Sequence, residues 1–154
     1  MNDKLFINLL ESNELQIQKV IRCNKYTEKF GVRLSEKDAL MLMEARINSL
    51  KEQERIEFGE GIIQKLNFAF CDSPYIYQEN YLYSIEYLMH IFYLYKNESL
   101  DEISDDELME YMKKSFEGEC QGSLEYLEHT CLEKFARNIR NGKSLEFDEE
   151  EKDD

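Results

Sequence analysis

The sequence QENYLYSIEYLMHIFYLYK, residues 78–96, decides the fold of this chain. At about 100° per residue, one broad apolar face is formed by Tyr81, Leu82, Ile85, Leu88, Met89, Phe92 and Tyr95. The other side is also largely apolar, with Tyr83, Tyr87, Ile91 and Leu94. A helix that is apolar nearly all round in a soluble protein is usually buried among neighbours or held against a partner chain. The pattern therefore predicts a central helix over residues 78–96.

The segments on both sides of the central helix also have helical periodicity and helix start signals. Asn13 with Gln16 and Ser35 with Asp38 resemble capping boxes, and Ser104-Asp105-Asp106-Glu107 is a full one. We predict further helices over residues 14–30, 36–57, 62–73 and 105–117, and a last one between residues 123 and 142. Residues 1–12 are left unassigned, with a helix favoured.

Length and composition predict one all-α domain. The 154 residues fit a single compact bundle of about six helices, and glycine and proline are scarce. This helical domain is expected to span residues 1–142. Residues 143–154 contain seven acids and two lysines. Such a charge block predicts a disordered acidic tail.

Charge and cysteine usage exclude several classes of protein. Nineteen basic and thirty-three acidic residues give a net charge of −14, which disfavours direct binding to nucleic acids and anionic membranes. No apolar run approaches the ~18 residues of a membrane span, and no export signal is visible. Four scattered cysteines without such a signal are typical of reduced thiols, so a cytoplasmic location is expected.

A short repeat contains both histidines of the chain. Residues 84–90, SIEYLMH, resemble residues 123–129, SLEYLEH. Glu and His lie four residues apart in each copy, so Glu86 with His90 and Glu125 with His129 are the candidate metal ligands. Because Glu86 and His90 lie away from the main apolar face of their helix, two independent surface pairs are the preferred interpretation. No cofactor is predicted.

Two turns carry small polar residues beside thiols. They are Cys71-Asp72-Ser73-Pro74-Tyr75 and Cys120-Gln121-Gly122-Ser123. Clefts near such turns can gather convergent donors. A small enzyme with a pocket near both turns is therefore one alternative, with Cys71, Asp72, Ser73, Tyr75, Gln121 and Ser123 as its candidate binding residues.

Several of these motifs also resemble a known family. Residues 57–62, 69–75, 78–81, 103–108 and 120–125 look like a family of small, uncharacterised proteins from anaerobic Gram-positive bacteria. The resemblance covers roughly residues 14–141. It implies a cytoplasmic helical domain and supplies no catalytic residue.

The leading functional hypothesis is a non-enzymatic protein-interaction or regulatory module. A helix with aromatics on two sides can bury one side and present the other to a partner. Tyr83 and Tyr87 are then the candidate binding residues, for a protein partner or for a second copy in a homodimer. Besides the small enzyme, a second alternative to the interaction module is an acidic inhibitor that mimics nucleic acid.

Overall fold

The computed structural model describes residues 3–57 and 61–142, with side chains from Asn13 onward, and this part of the chain is helical and contains no strand. The predicted all-α class is confirmed. The helices are α1 (Asp3–Arg22), α2 (Asn24–Thr27), α3 (Glu36–Glu52), α4 (Ile62–Phe70), α5 (Gln78–Glu98), α6 (Asp105–Glu117), α7 (Leu124–Tyr126) and α8 (Leu132–Arg140). A 3₁₀ turn (Glu28–Phe30) follows α2, and a π-helical segment (Leu127–Cys131) joins α7 to α8.

The structure divides into two units between His90 and Ile91, inside α5. The predicted single domain over residues 1–142 stays a prediction, and the predicted acidic tail, residues 143–154, lies outside the described residues. Within the described ranges, no helix is both long and apolar enough to cross a bilayer.

In the first unit, α1 packs on α3 and α4, and α2 packs on α4. Its core includes the fully buried side chains of Leu34, Leu42, Leu66, Phe70 and Tyr81. The extended segment before α3 is held by the buried Asn24 side chain. Asn24 Nδ2 donates to the Leu34 carbonyl and Asn24 Oδ1 accepts from the Leu34 amide, each at 2.8 Å. One side chain thus satisfies both backbone groups of a buried residue.

In the second unit, the π-helical segment packs on α6 and α8. The buried Tyr95 hydroxyl donates to the Leu127 carbonyl at 2.7 Å. The Tyr95 ring lies 4.8 Å from the Phe135 ring, and Tyr111 contacts both rings. Burial of the Tyr95 phenol, together with the nearby Cys131, raises the pKa of Tyr95, so this group remains a hydrogen-bond donor. The end of α5 is therefore fixed to the π-helical segment by a neutral hydroxyl.

The first predicted helix has the wrong bounds. Asn13 does not cap a helix, because it lies inside α1, which begins at Asp3. The apolar residues before Asn13 continue the helical periodicity, so the start signal is overridden. The prediction that residues 14–30 form one helix is also wrong at its far end. The chain leaves α1 at Arg22 and continues as α2 and a 3₁₀ turn to Phe30, before Gly31 adopts a left-handed φ of 86°.

The predicted helix over residues 36–57 starts correctly and ends early. Ser35 and Asp38 form the complete capping box. The helix ends at Glu52, because Glu54 takes a positive φ of 55° and the Arg55 amide donates back to the Leu50 carbonyl. Such a left-handed ending occurs most often at glycine, so Glu54 gave no signal for it.

Candidate functional site

Three aromatic rings form an exposed cluster in the first unit, here called the aromatic patch. It consists of Tyr26 from α2, Phe30 from the 3₁₀ turn and Phe68 from α4. The Tyr26 ring centroid lies 5.5 Å from that of Phe30 and 5.5 Å from that of Phe68. Their exposed fractions are 40%, 44% and 48%. Clustered apolar surface of this kind marks interaction sites more often than isolated exposed side chains do.

Two of the three rings, Tyr26 and Phe30, belong to the most basic stretch of an acidic chain. Residues 19–33 contain five basic residues and one acidic residue, Glu28, whereas the whole chain has a net charge of −14. The Lys29 ammonium lies 5.2 Å from the Tyr26 ring centroid, within the range of a cation–π contact. Arg33 is paired with Glu28 at 3.0 Å. Lys29 therefore places a positive charge over one ring of the aromatic patch.

Local structure explains why the three rings meet. Tyr26 and Phe30 are four residues apart, and the helical turns that contain them keep residues at this spacing on one side. Phe68 reaches them because α2 packs on α4. This group was not predicted from the sequence, because Phe68 comes from an element that is far from α2 and the 3₁₀ turn in the chain. The four-residue spacing of Tyr26 and Phe30 could have predicted the contact between these two rings, but not the addition of Phe68.

The two tyrosines predicted as binding residues on the central helix differ in their exposure. Tyr83 is 62% exposed, whereas Tyr87 is half-buried. Their rings meet edge to face, with centroids 5.8 Å apart. On the same side of α5, Ile91 is buried and Leu94 is half-buried. Tyr83 is thus the aromatic side chain that the outer side of α5 presents to solvent.

The first predicted turn uses its polar groups locally. Cys71 is buried, and its thiol lies 3.8 Å from the Phe68 carbonyl oxygen, to which it donates. Ser73 is buried, and its hydroxyl accepts from the Tyr75 amide at 3.3 Å. Asp72 and Tyr75 are exposed. The thiol and the hydroxyl therefore stabilise the turn itself.

The second predicted turn, in the second unit, has a structural role as well. Ser123 caps the following helix, because its hydroxyl accepts from the Tyr126 amide at 3.1 Å. Gln121 is exposed and has a left-handed φ of 48°. Cys120 is buried, and its sulfur lies 3.2 Å from that of Cys131. This thiol pair was not predicted from the sequence, where the two residues are eleven apart.

The two copies of the repeat have different surroundings. In α5, the Gln53 side-chain nitrogen lies 3.2 Å from His90 Nδ1 and donates to the His90 carbonyl. Glu86 is half-buried, and desolvation, with a smaller contribution from Asp38, raises its pKa. In the other copy His129 is exposed and lies 3.4 Å from its neighbour Glu128. The π-helical segment changes the spacing on which the predicted Glu125–His129 pair depended.

No group of three or more His, Cys, Asp and Glu side chains that could hold a metal ion occurs in residues 13–57 and 61–142. A partly open cavity of about 110 Å³ lies in the first unit. Its lining combines apolar and polar side chains from α1, α3 and α4, namely Asn13, Gln16, Val20, Met43, Arg46, Ile47 and Ile63. None of these residues was predicted to belong to a site.

The chain belongs to a family of unknown function, DUF6323, whose family model matches residues 19–145. The expected resemblance to an uncharacterised family is confirmed to that extent. The match includes the aromatic patch and both copies of the repeat. Neither the curated proteins nor the solved structures contain a match to this chain.

Proposed function

We propose that this protein is a non-enzymatic protein-interaction module, and that the aromatic patch binds an acidic segment of a partner protein. The observation that carries the proposal is the contact of three half-exposed rings, with the Lys29 ammonium over the Tyr26 ring. Aromatic side chains dominate the energetics of protein interfaces because they bury large rigid surfaces. Four buried cysteines without a disulfide support a cytoplasmic location for this activity.

The charge of the stretch that carries Tyr26 and Phe30 favours one class of partner. The net charge of residues 19–33 is positive, with five basic residues against one acidic residue. An acidic segment gains from this charge, and an apolar side chain within it can pack on the rings. A second copy that presented its own residues 19–33 would meet like charge. The patch therefore favours a different, acidic surface over symmetric pairing of two patches.

A direct test uses a fluorescein-labelled peptide with the sequence of residues 143–154. Its seven acids accompany Leu145 and Phe147, so it has the chemistry of the proposed partner segment. Fluorescence anisotropy should show binding to the full chain that weakens as ionic strength rises. Phe68→Ser should weaken binding roughly tenfold, because removing a well-packed interface ring costs on the order of 1–2 kcal/mol.

Ile56→Ser is the matched control, since Ile56 is 80% exposed and lies outside the patch. It should leave the affinity unchanged. A peptide in which Leu145 and Phe147 are replaced by Ser should bind more weakly, which separates ring packing from charge attraction. Equal affinity for Phe68→Ser and Ile56→Ser, or no binding by the unaltered protein, would contradict the proposal.

Homodimerisation through α5 is the second candidate, because Tyr83 is 62% exposed and packs on Tyr87. Sedimentation of the same samples tests it. A dimer formed this way should dissociate more readily when Tyr83 is replaced by Ser, whereas Phe68→Ser should not affect it. A monomer at high protein concentration would exclude this candidate and leave the peptide result unaffected.

A further inference from the structure

Two buried thiols lie side by side in the second unit. Cys120 Sγ and Cys131 Sγ are 3.2 Å apart, about 1 Å beyond the ~2.05 Å length of a disulfide bond. Their exposed fractions are 5% and 2%, so large reagents cannot reach them directly. The other two cysteines are arranged differently. Cys23 and Cys71 each direct their thiol to a backbone carbonyl, of Lys19 and Phe68.

The backbone on both sides of this pair departs from the regular α-helix. Cys120 lies in the turn after α6, where its amide donates to the Ser115 carbonyl and Gln121 takes a positive φ. Cys131 is the last residue of the π-helical segment. Such segments occur frequently at functional sites, because the wider turn redirects a side chain. Here the irregular turns bring two sulfurs together that are eleven residues apart in the chain.

We propose that Cys120 and Cys131 are a modification site, at which a small peroxide converts the thiol pair into a reversible intramolecular disulfide. The reaction needs a two-electron oxidant, and hydrogen peroxide is small enough to reach buried sulfur. A disulfide here joins the turn after α6 to the start of α8 and closes a short loop. This inference does not depend on the proposed binding function, because it concerns another surface and another chemistry.

The chemistry balances in two steps. The Cys120 thiolate attacks the peroxide, an S–O bond forms, the O–O bond breaks, and the departing hydroxide takes a proton to become water. The Cys131 sulfur then attacks Cys120 Sγ, an S–S bond forms, the S–O bond breaks, and the second hydroxide leaves as water with the Cys131 proton. Two thiols lose two protons and two electrons, and one peroxide yields two waters. Cys120 is placed first because it lies in the turn and is the more exposed residue of the pair.

The surroundings of Cys120 and Cys131 also determine the rate at which peroxide oxidises them. The contact with Cys131 and burial raise the pKa of Cys120, so little thiolate is present at neutral pH. Oxidation is therefore slow compared with that of an exposed low-pKa thiol. Once sulfenic acid forms, the adjacent sulfur captures it before a second peroxide does. Oxidation of this thiol pair is therefore slow, but its product is the disulfide rather than a more highly oxidised sulfur.

The test is peptide mapping of the full chain after treatment with hydrogen peroxide. Samples are quenched, unfolded in urea, alkylated with iodoacetamide and digested without reductant. The expected result is a Cys120–Cys131 cross-linked peptide from the monomer, with Cys23 and Cys71 alkylated, and dithiothreitol should restore all four thiols. Cross-links between chains, a bond at any other pair, or sulfinic acid at Cys120 beside an alkylated Cys131 would overturn the proposal.

Variants test the order of the steps. Cys131→Ala removes the resolving sulfur, so peroxide treatment should leave a sulfenic acid at Cys120, which dimedone traps when it is present while the protein is unfolded in urea. Cys71→Ala is the matched control, since Cys71 is equally buried and should not prevent the cross-link. Dimedone labelling at Cys120 in the unaltered protein, equal to that in Cys131→Ala, would contradict capture by Cys131. The mapping of the unaltered chain decides the proposal even where a variant fails to fold.

Discussion

Replacing Asn24 by Ala removes the side chain that holds the segment before α3. Asn24 makes two hydrogen bonds of 2.8 Å to the Leu34 backbone, and Leu34 is only 1% exposed. After the substitution both backbone groups of Leu34 are buried without their partner. Each such group costs roughly 1–2 kcal/mol, so we expect a loss of about 3 kcal/mol. For a chain of this size this corresponds to a fall in Tm of roughly 6–12 °C.

Urea unfolding followed by circular dichroism measures the global effect, and hydrogen exchange at the Leu34 amide measures the local one. The amide should lose protection in Asn24→Ala because its acceptor is gone. Asn48→Ala is the control, since Asn48 is exposed on α3 and should change stability by less than about 0.5 kcal/mol. A loss below about 1 kcal/mol, with Leu34 still protected, would refute this account of the segment.

Two further substitutions test the charge and hydrogen-bond arguments. Glu86→Gln should stabilise the protein at neutral pH and have no effect at acidic pH. The pKa of Glu86 is raised in the folded state, so the carboxylate opposes folding above its unfolded pKa and this penalty is lost on protonation. Urea midpoints at pH 7 and pH 3 measure this. Tyr95→Phe should cost about 1–2 kcal/mol, because the buried Leu127 carbonyl loses its donor. Removal of the exposed Tyr83 hydroxyl by Tyr83→Phe should leave the urea midpoint unchanged.

The strongly patterned elements could be predicted from the sequence. The central helix was predicted over residues 78–96 and spans Gln78–Glu98. The helix over residues 105–117 was predicted with both ends correct, because the side chain of Ser104 satisfies the Glu107 amide at its start. Ser35 gave the start of α3 for the same reason. Local hydrogen bonding determines such starts, and a reader of the sequence can recognise the residues that make it.

The candidate sites depend on contacts that local rules do not encode. Phe68 joins Tyr26 only through the packing of α2 on α4. The Cys120–Cys131 pair requires a π-helical segment, and no residue type signals one. Tyr83 could be singled out from the sequence because α5 has more aromatic residues than one buried face can hold. The surplus of aromatic residues on α5 could therefore be recognised in the sequence. The aromatic patch and the thiol pair could not, because each is assembled from more than one element.

The position of the division inside α5 matters for any genetic dissection of the protein. In a continuous α-helix the amides of residues 91–94 donate to the carbonyls of residues 87–90. A protein fragment that stops at His90 leaves these carbonyls without their donors, and one that starts at Ile91 leaves these amides without their acceptors. The two helical pieces also lie in or below the range of about 12–15 residues in which isolated helices are marginal in water. Workable fragment boundaries therefore lie before Gln78 or after Glu98, and each such fragment carries the whole helix or none of it.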